Sequence, residues 1–324
     1  MSLGGLKGGV KELFAKPAVW HRLGPLTRPP GVIVLTYHDV FQTRGPLEGM
    51  RIDLFAEQMR WVRDHCEPIE PEAVVERSRD ARRSRPAVLV TFDDGYRSYH
   101  DLAYPVLKEL GIPALVFVAT SFMDEGGMMW TDQVQRAAAA STIAELDVPW
   151  SGERVPLPDA AARKALGARA RAHLKTLPDT ERRAQMKTLL AALGASPHGE
   201  RTMLTWDEVR RTMDLTRYGG HSHTHPILSR LDTATARHEI ETCHARVTAE
   251  TGRAPKHFAY PNGGPHDFTT ETKEIVRASG FEIAFSTTVG IAGPDTDWLA
   301  VKRIGAGEMS MAGFAWTMAG LNRS

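Results

Sequence analysis

Residues 88–95 read Val-Leu-Val-Thr-Phe-Asp-Asp-Gly, so an apolar run ends abruptly at two adjacent carboxylates. The segment from Ala87 to Phe92 predicts a fully buried β-strand, because it is too short and too rich in β-branched residues for a helix. Two acids at the carboxyl end of such a strand repel each other unless a cation or a shared proton offsets their charge. Taken alone, the pattern is equally typical of a solvated Asp-Asp-Gly turn.

Similar strands recur along the chain and alternate with helical patterns. Asp53 is expected to cap a helix that runs to His65, and a long helix over residues 233–251 should end at Gly252. About seven mostly parallel strands predict an α/β fold, either a closed or nearly closed β/α barrel or a doubly wound open sheet. Besides the strand at Ala87–Phe92, strands are predicted at residues 31–37, 114–119, 217–220, 257–260, 281–286 and 299–304.

Residues 123–214 interrupt this alternation. They contain Ala-rich and Arg-rich helical patterns at about 158–175 and 180–193, with no convincing buried strand. Thr205 and Glu208 form a capping box for the helix that leads back to the alternation. We interpret the stretch as a helical insertion, since the alternation continues on both sides of it. The predicted organisation is an N-terminal basic extension at residues 1–30 and a single domain at residues 31–324.

Composition limits the classes of function and partner. The chain has 324 residues, of which 42% are apolar, so it is long enough for one large domain with a sizeable core. Its formal charge of +1 gives no field that would favour nucleic acid, and no nucleic-acid partner is expected. Cys66 and Cys243 lie far apart in helix-like sequence, and we expect them to be reduced, partly buried thiols.

The N-terminal extension bears on cellular location. Residues 1–30 carry five Lys or Arg residues and one Glu, but they have no continuous apolar segment of the kind found in export signals. Apolar residues from Leu6 to Phe14 lie between lysines, so this stretch could rest on an anionic membrane surface or form a short helix packed on the domain. We expect a cytoplasmic protein, with peripheral contact to the inner face of the membrane as an alternative.

A second polar cluster, His221-Ser222-His223-Thr224-His225, follows another predicted strand. Histidines four residues apart would share one face of a helical turn and could bind one metal ion through their ring nitrogens. His223 would then point elsewhere. Together with the Asp-Asp pair, His221 and His225 indicate a site of two histidines and one carboxylate, with an open position for water. The second aspartate remains available to accept a proton.

These two motifs, Thr91-Phe92-Asp93-Asp94-Gly95 and His221-Ser222-x-x-His225, resemble those of the polysaccharide deacetylases with a NodB homology domain (carbohydrate esterase family 4). The resemblance covers roughly residues 31–305 outside the insertion. It implies a distorted (β/α)₇ barrel, a divalent metal that is usually Zn²⁺, and hydrolysis of the N-acetyl group of an amino sugar. It also implies that Asp93 is the general base and that Asp94, His221 and His225 are the metal ligands.

Other parts of the family pattern are altered. In the segment from Phe258 to Gly263, Ala259 occupies the position of the usual arginine, while Pro261 and Gly263 fit. The C-terminal Leu-x-His motif, which normally supplies the general acid, has no counterpart. The remaining pattern resembles a branch that acts in exopolysaccharide, capsule or lipopolysaccharide assembly, in which a histidine after the first strand serves as the acid.

In that branch, His38 is the candidate acid, and Arg303 could hold Asp93 ionised in place of the missing arginine. The alternatives are that His38 hydrogen-bonds to a loop and that Arg303 forms a structural ion pair. The loop residues Tyr260, Pro261, Asn262 and Gly263 are expected to contact the substrate and to offer a backbone N–H to the oxyanion.

The resemblance therefore predicts a metal-dependent sugar N-deacetylase. Its expected partners are an N-acetylated sugar, an oligosaccharide or a lipid-linked glycan. Two alternatives remain open at this point. One is a sugar deformylase of the same fold, and the other is a non-catalytic barrel that binds sugar or assembles with glycosyltransferases. The intact set of Asp93, Asp94, His221 and His225 argues against a non-catalytic barrel, which would not need a base.

Overall fold

The computed structural model describes residues 12, 19–20, 30–43, 49–80, 85–195 and 201–320. The expected N-terminal extension and the apolar residues from Leu6 to Phe14 therefore lie outside the described residues. The β-strands are Val32–Tyr37 (β1), Val40–Phe41 (β2), Met50–Arg51 (β3), Glu67–Pro68 (β4), Ala87–Phe92 (β5), Ala114–Val118 (β6), Glu145–Asp147 (β7), Arg154–Pro156 (β8), Thr216–Gly220 (β9), His257–Ala259 (β10), Ile283–Val289 (β11) and Val301–Gly305 (β12).

Helices surround these strands. A π-helical turn at Tyr99–Ala103 and 3₁₀ turns at Pro71–Ala73 and Leu228–Arg230 complete the regular structure of the described residues. The α-helices are Ile52–His65 (α1), Val74–Ser78 (α2), Tyr104–Leu110 (α3), Thr120–Asp124 (α4), Trp130–Ala140 (α5), Ala160–Leu174 (α6), Asp179–Ala192 (α7), Trp206–Thr212 (α8), Thr233–Thr251 (α9), Thr270–Ala278 (α10) and Met311–Met318 (α11).

Seven parallel strands form a closed barrel. They are hydrogen-bonded in the order β1, β12, β11, β10, β9, β6, β5, and β5 pairs again with β1. The short strand β4 adds to one end of β5. The predicted (β/α)₇ barrel is confirmed, and the open-sheet alternative is wrong because β1 and β5 pair along six residues. Each of the seven predicted strands is present, with ends shifted by at most three residues.

Alternation along the strands separates two layers of the core. Every residue of β1 and β5 is buried, because one face points into the barrel and the other towards the helices. Val34 and Leu89 belong to the cluster inside the barrel. Ile33 and Val90 belong to the cluster between the barrel and its helices. Two-sided burial explains why these strands lack the polar alternation of a half-exposed sheet.

Residues 123–214 contain α5 to α8 and a separate antiparallel hairpin of β7 and β8. The helices α5, α6 and α7 pack around a hydrophobic cluster of their own, which includes Val134, Leu166 and Leu189. The hairpin strands are largely exposed and pair only with each other in the described sheets. That this stretch behaves as an insertion in a single domain stays a prediction.

Most of the predictions for the helix ends are confirmed. Thr205 and Glu208 form the predicted capping box, and Gly252 ends α9 in the left-handed conformation with φ 69°. The prediction for Asp53 is wrong. The N-cap of α1 is Arg51, and Asp53 lies in the first helical turn, where it pairs with Arg51. Among the described helices, none has both the length and the apolar character needed to span a membrane.

Candidate metal centre and active site

Asp93 and Asp94 follow β5 directly, at the carboxyl end of the barrel strands. The Asp93 N–H still donates to the Tyr37 carbonyl, 3.0 Å away, so the ladder with β1 continues to this residue. Leu89, Thr91 and Asp93 alternate on the face that points into the barrel, and Asp93 is 2% exposed. The chain then turns at Gly95, whose φ is 83°. This turn allows both neighbouring carboxylates to face the same site.

Arg303 forms a bidentate ion pair with Asp93. Its Nη1 and Nη2 donate to Asp93 Oδ1 and Oδ2 at 2.6 and 2.7 Å, and Nε donates to the Ser286 carbonyl at 2.9 Å. Burial alone would raise the pKa of Asp93, but the charge and hydrogen bonds of Arg303 hold that pKa below its usual value. The ion pair therefore favours the ionised form of Asp93.

Asp94, His221 and His225 converge on one point. Asp94 Oδ1 lies 3.3 Å from Nε2 of His221 and 3.3 Å from Nε2 of His225. All three residues are buried. The pKa of Asp94 would be raised by burial, but hydrogen bonding to the two histidines holds it well below its usual value. These three residues form the buried group in the described part of the chain that could hold a metal ion.

The donor set fits a divalent ion such as Zn²⁺. Ligand atoms about 2.0–2.2 Å from a shared ion at tetrahedral angles lie roughly 3.3–3.6 Å apart, which agrees with the observed separations. His221 Nδ1 lies 2.7 Å from the Ala259 carbonyl. Because a carbonyl can only accept, Nδ1 carries the proton and the lone pair of Nε2 is directed at the site.

The histidine motif does not form a helical turn, which corrects the sequence-based expectation. Residues 221–225 form a loop after β9, in which Ser222 and His225 have φ values of 62° and 57°. Non-glycine residues rarely adopt this left-handed conformation, and here it brings both imidazoles to Asp94. The His223 ring points elsewhere, as predicted, and its Nδ1 lies 2.8 Å from Thr120 Oγ1.

Glu239 of α9 holds this loop in place. Its buried carboxylate accepts hydrogen bonds from the backbone N–H groups of His223 and Thr224 at 2.9 and 2.7 Å, and from the Thr224 hydroxyl at 2.7 Å. Bonds to a carboxylate are stronger than neutral ones, so they can stabilise the strained conformation. This role leaves no signal in the sequence, where Glu239 is one of several acids on a long helix.

His38 lies at the edge of the site. Its side chain is 52% exposed, and Nε2 lies 3.8 Å from Asp93 Oδ2. It follows β1, so the carboxyl ends of β1, β5 and β9 bring together residues from distant parts of the sequence. The structure thus places His38 beside the proposed base, on the open side of the cavity.

The loop after β10 only partly matches the prediction. Asn262 lines the cavity, but Tyr260 is fully buried, stacks on Phe268 and donates its hydroxyl to the Leu299 carbonyl. Tyr260 therefore supports the loop, and its side chain is buried away from the cavity lining. The N–H groups of Tyr260 and Gly263 are bonded to Phe285 and Pro261 carbonyls.

Pro261 has no N–H, and neither Pro261 nor Gly263 is among the residues that line the cavity. Of the four predicted loop residues, Asn262 is the one that lines the cavity, so its N–H remains the candidate for the predicted oxyanion donor. Asn262 has a φ of 59°, the same left-handed conformation as Asp94, Ser222 and His225.

A cavity of about 470 Å³ connects these groups to solvent. The barrel contributes the metal-ligand set, Asp93, His38 and Thr36 to its wall, and the 123–214 stretch contributes further wall residues. The residues of that stretch in the wall are Met129, Thr131, Asp132, Gln135, Arg171 and Lys175. None of Trp130, Trp150 and Trp206 lines the cavity.

Two further carboxylates, one from the barrel and one from the 123–214 stretch, line the cavity and were not singled out from the sequence. Asp39 accepts a hydrogen bond from Ser98 Oγ at 2.5 Å, and burial raises its pKa. Asp132 lies in the first turn of α5, and burial, together with the charges of Asp94 and Asp39, raises its pKa to about 7 although Tyr96 and Arg136 act in the opposite direction. An acid in the first turn of a helix is so common that the sequence offered no signal for Asp132.

The two cysteines are not part of the site. Cys66 and Cys243 are both buried and free, as expected. Burial raises the pKa of Cys243 to about 12, so its thiol is not reactive at neutral pH.

Comparison with known proteins agrees with this geometry. The model of the polysaccharide deacetylase family matches residues 80–145 and 171–284, more than half of the 324 residues. YxkH, a curated protein of Bacillus subtilis (strain 168), is 33% identical over 93 residues, which cover 28% of this chain. The matched segment spans 33% of that relative, about a third of its length.

Solved structures share the fold over most of the chain. The deacetylase PplD of Streptococcus pyogenes, solved in complex with acetate, has a TM-score of 0.61 at 17% identity, covering 90% of this chain and 99% of that one. IcaB from Ammonifex degensii has a TM-score of 0.56 at 20% identity, covering 90% and 98%. At these identities the likeness establishes a common fold.

Proposed function

Because the chain belongs to the polysaccharide deacetylase family, we propose that it is a metal-dependent hydrolase that removes the N-acetyl group from an amino sugar. The observation that carries the proposal is the position of Asp93. This buried carboxylate, held ionised by Arg303, directly precedes Asp94 of the Asp94–His221–His225 donor set and opens into the same cavity. A non-catalytic sugar-binding barrel would have no use for this combination.

Asp94, His221 and His225 would hold the ion. When bound, a divalent cation supplies Lewis-acid chemistry, by polarising a carbonyl and lowering the pKa of water. Asp93 acts as the general base and takes the proton from the attacking water. Arg303 keeps that base ionised and fixes its orientation. The Asn262 N–H is the donor proposed for the negative charge that develops on the acetyl oxygen.

His38 is proposed as the general acid. The leaving amine of an amide must be protonated as it departs, and an imidazole is suited to this near neutral pH. Its exposed position beside Asp93 supports the role, since the leaving sugar nitrogen would approach from the open side of the cavity.

The proposed substrate is a surface polysaccharide or its lipid-linked precursor, as in lipopolysaccharide assembly. The cavity volume of about 470 Å³ lies in the range typical of ligand sites, ~300–1,000 Å³. A cytoplasmic location with peripheral membrane contact through residues 1–30 is part of the same proposal.

Acetate release tests the proposal directly. The metal-loaded protein is incubated with N-acetylated monosaccharides, oligomers and lipid-linked precursors, and acetate is quantified beside an Asp93→Asn variant. A positioned general base typically contributes ~10²–10⁴-fold, so the variant should lose activity by that factor while it keeps its metal. Near-full turnover by Asp93→Asn on a genuine substrate would remove Asp93 from the mechanism.

A further inference from the structure

The proposed mechanism leaves one buried group in the cavity wall without a role. Asp132 is 7% exposed, and its Oδ2 has no hydrogen-bond partner among the described residues. It also makes no hydrogen bond or ion pair there with Asp93 or with the donor set. A buried acceptor without a partner is unfavourable, so some contact should offset its desolvation when the protein works.

The position of Asp132 in its helix does not explain why its side chain is buried. It lies in the first turn of α5, where a carboxylate can interact favourably with the helix dipole. However, the N-terminus of α5 has no side-chain cap hydrogen bond. The carboxyl group otherwise has a hydrogen bond with the Tyr96 side chain and a long contact of 3.5 Å between Thr131 Oγ1 and Oδ1, which leave Oδ2 without a partner. An exposed position would give the same dipole interaction without the desolvation.

Asp39, the other carboxylate that lines the cavity, differs from Asp132 in its hydrogen bonding. Asp39 already accepts hydrogen bonds from Ser98 and from the Val40 N–H, so its oxygens are engaged within the protein. Thr36 Oγ1, on the barrel side of the cavity, is buried and has no partner among the described residues either. Thr36 and Asp132 both line the cavity, so a bound ligand would lie next to two residues that each have an oxygen without a partner among the described residues.

We propose that Asp132 accepts a hydrogen bond from a ring hydroxyl of the hexosamine whose acetamido group lies at Asp93. This inference rests on the proposed function and deepens it, because it assigns a specificity contact to the 123–214 stretch. Carboxylates are strong acceptors for hydroxyl donors, and a site built for a hydroxyl rejects an analogue that lacks it.

A hydroxyl fits the surroundings better than an ammonium group does. The same stretch places Arg171 and Lys175 in the cavity wall, and the charge of Arg136 also acts on Asp132. These positive charges disfavour a second cation beside Asp132, whereas a neutral donor is unaffected. A substrate with a free amine next to the acetamido group is therefore the less favoured occupant, and it is included in the test.

The test compares Asp132→Asn with Asp207→Asn. Asp207 is also an acid in the first turn of a helix, but its side chain is 73% exposed and it lies outside the cavity. With an N-acetylhexosamine oligomer, Asp132→Asn should lower kcat/KM by about 10- to 10²-fold. With an aryl acetate, which has no sugar ring, the loss should be at least about tenfold smaller. Asp207→Asn should retain both activities.

Deoxy substrates identify the contact. For substrates that lack one ring hydroxyl in turn, the difference between wild type and Asp132→Asn should disappear for one analogue and persist for the others. The proposal is overturned if Asp132→Asn keeps the wild-type kcat/KM on the oligomer, if both substrates lose equally, or if no analogue abolishes the difference. It is also overturned if only a substrate with a free amine is sensitive to the variant.

Failure of the proposed function gives a different result. If the metal-loaded wild-type protein neither binds the N-acetylhexosamine oligomer in calorimetry nor releases acetate from any sugar, the function and the Asp132 contact are both wrong. If the wild type does both and Asp132→Asn is indistinguishable from it, the Asp132 contact alone is wrong.

Discussion

Asp93 and Arg303 are 210 residues apart in the chain and form a buried bidentate ion pair, with N–O distances of 2.6 and 2.7 Å. The barrel explains how they meet. β1 lies between β5 and β12, and alternation directs Asp93 from one side and Arg303 from the other into the interior. The Arg303 guanidinium also lies 5.6 Å from the ring centroid of Phe117. The pair thus links the second and the last barrel strands of the chain at the site.

Substitution of Arg303 should move the acid limb of the pH–rate profile. Arg303 holds the pKa of Asp93 below its usual value, so the base stays ionised down to low pH. In Arg303→Gln that pKa rises, and activity should be lost at a pH about 1–3 units higher than in the wild type. The measurement is kcat/KM against pH.

The control is Arg303→Lys, which keeps the positive charge but lacks the planar fork. Arg303→Lys should show a smaller shift of the acid limb than Arg303→Gln. It also provides a second test if Arg303→Gln fails to fold, because the buried Asp93 charge left without a partner costs ~3–5 kcal/mol. Unchanged acid limbs in both variants would mean that the ion pair is only structural.

Strand positions were predictable because two-sided burial leaves a simple pattern. A fully buried parallel strand is a short, β-branched apolar run, and the segment from Ala87 to Phe92 matches its observed bounds. The end of the strand at Asp93 also marks the site, since parallel strands present their carboxyl ends to one edge. These signals are local in sequence, so a single chain is enough to detect them.

Other parts of the site depend on tertiary contacts that leave no local pattern. The left-handed conformation of His225 is imposed by the loop that Glu239 holds, so spacing alone wrongly suggested a helical turn. Tyr260 comes directly after a barrel strand, where a substrate contact was expected, yet its side chain packs inwards against Phe268. Asp132 reaches the cavity only because the 123–214 stretch packs so that several of its residues line it.

Metal binding should depend on His221 and not on its neighbour His223. His221 Nε2 is directed at Asp94, whereas the His223 ring is bonded to Thr120. We expect about one divalent ion per wild-type chain, and loss of one of three protein ligands should lower the affinity by at least ~10²-fold. Elemental analysis after dialysis against a weak chelator measures this. Equal metal content in wild type and His221→Ala, or loss of metal only in His223→Ala, would contradict the assignment.

The loss of activity in His38→Ala should depend on the leaving group of the substrate. Its side chain is half-exposed, so His38→Ala should fold and bind metal normally. An amide leaving group needs a proton and an aryl alcohol does not, so acetamido-sugar hydrolysis should fall ~10²–10⁴-fold while aryl acetate hydrolysis falls much less. His100→Ala, a change at a histidine away from the cavity, should affect neither substrate. Equal losses of His38→Ala on both substrates would exclude a role as the acid.

Removal of the Asp132 charge should stabilise the protein at neutral and higher pH. Burial raises the pKa of this carboxyl from 3.8 to about 7, so between these values the folded state keeps a proton that the unfolded state loses. Stability from this group therefore falls as the pH rises through that window, and the loss is complete above about pH 7. A shift of about three pKa units corresponds to at most ~4 kcal/mol, and a metal ion beside Asp94 would reduce it.

Urea unfolding of wild type and Asp132→Asn at about pH 5 and about pH 8 measures this difference. The variant should be more stable by about 1–3 kcal/mol at the higher pH, with a smaller gain at the lower pH. Asp207→Asn should show no such pH-dependent gain, because that side chain is largely exposed. A gain of equal size at both pH values would mean that the folded protein does not hold Asp132 protonated. A confirmed gain together with a loss of sugar hydrolysis is the combination expected of a residue whose function outweighs its cost in stability.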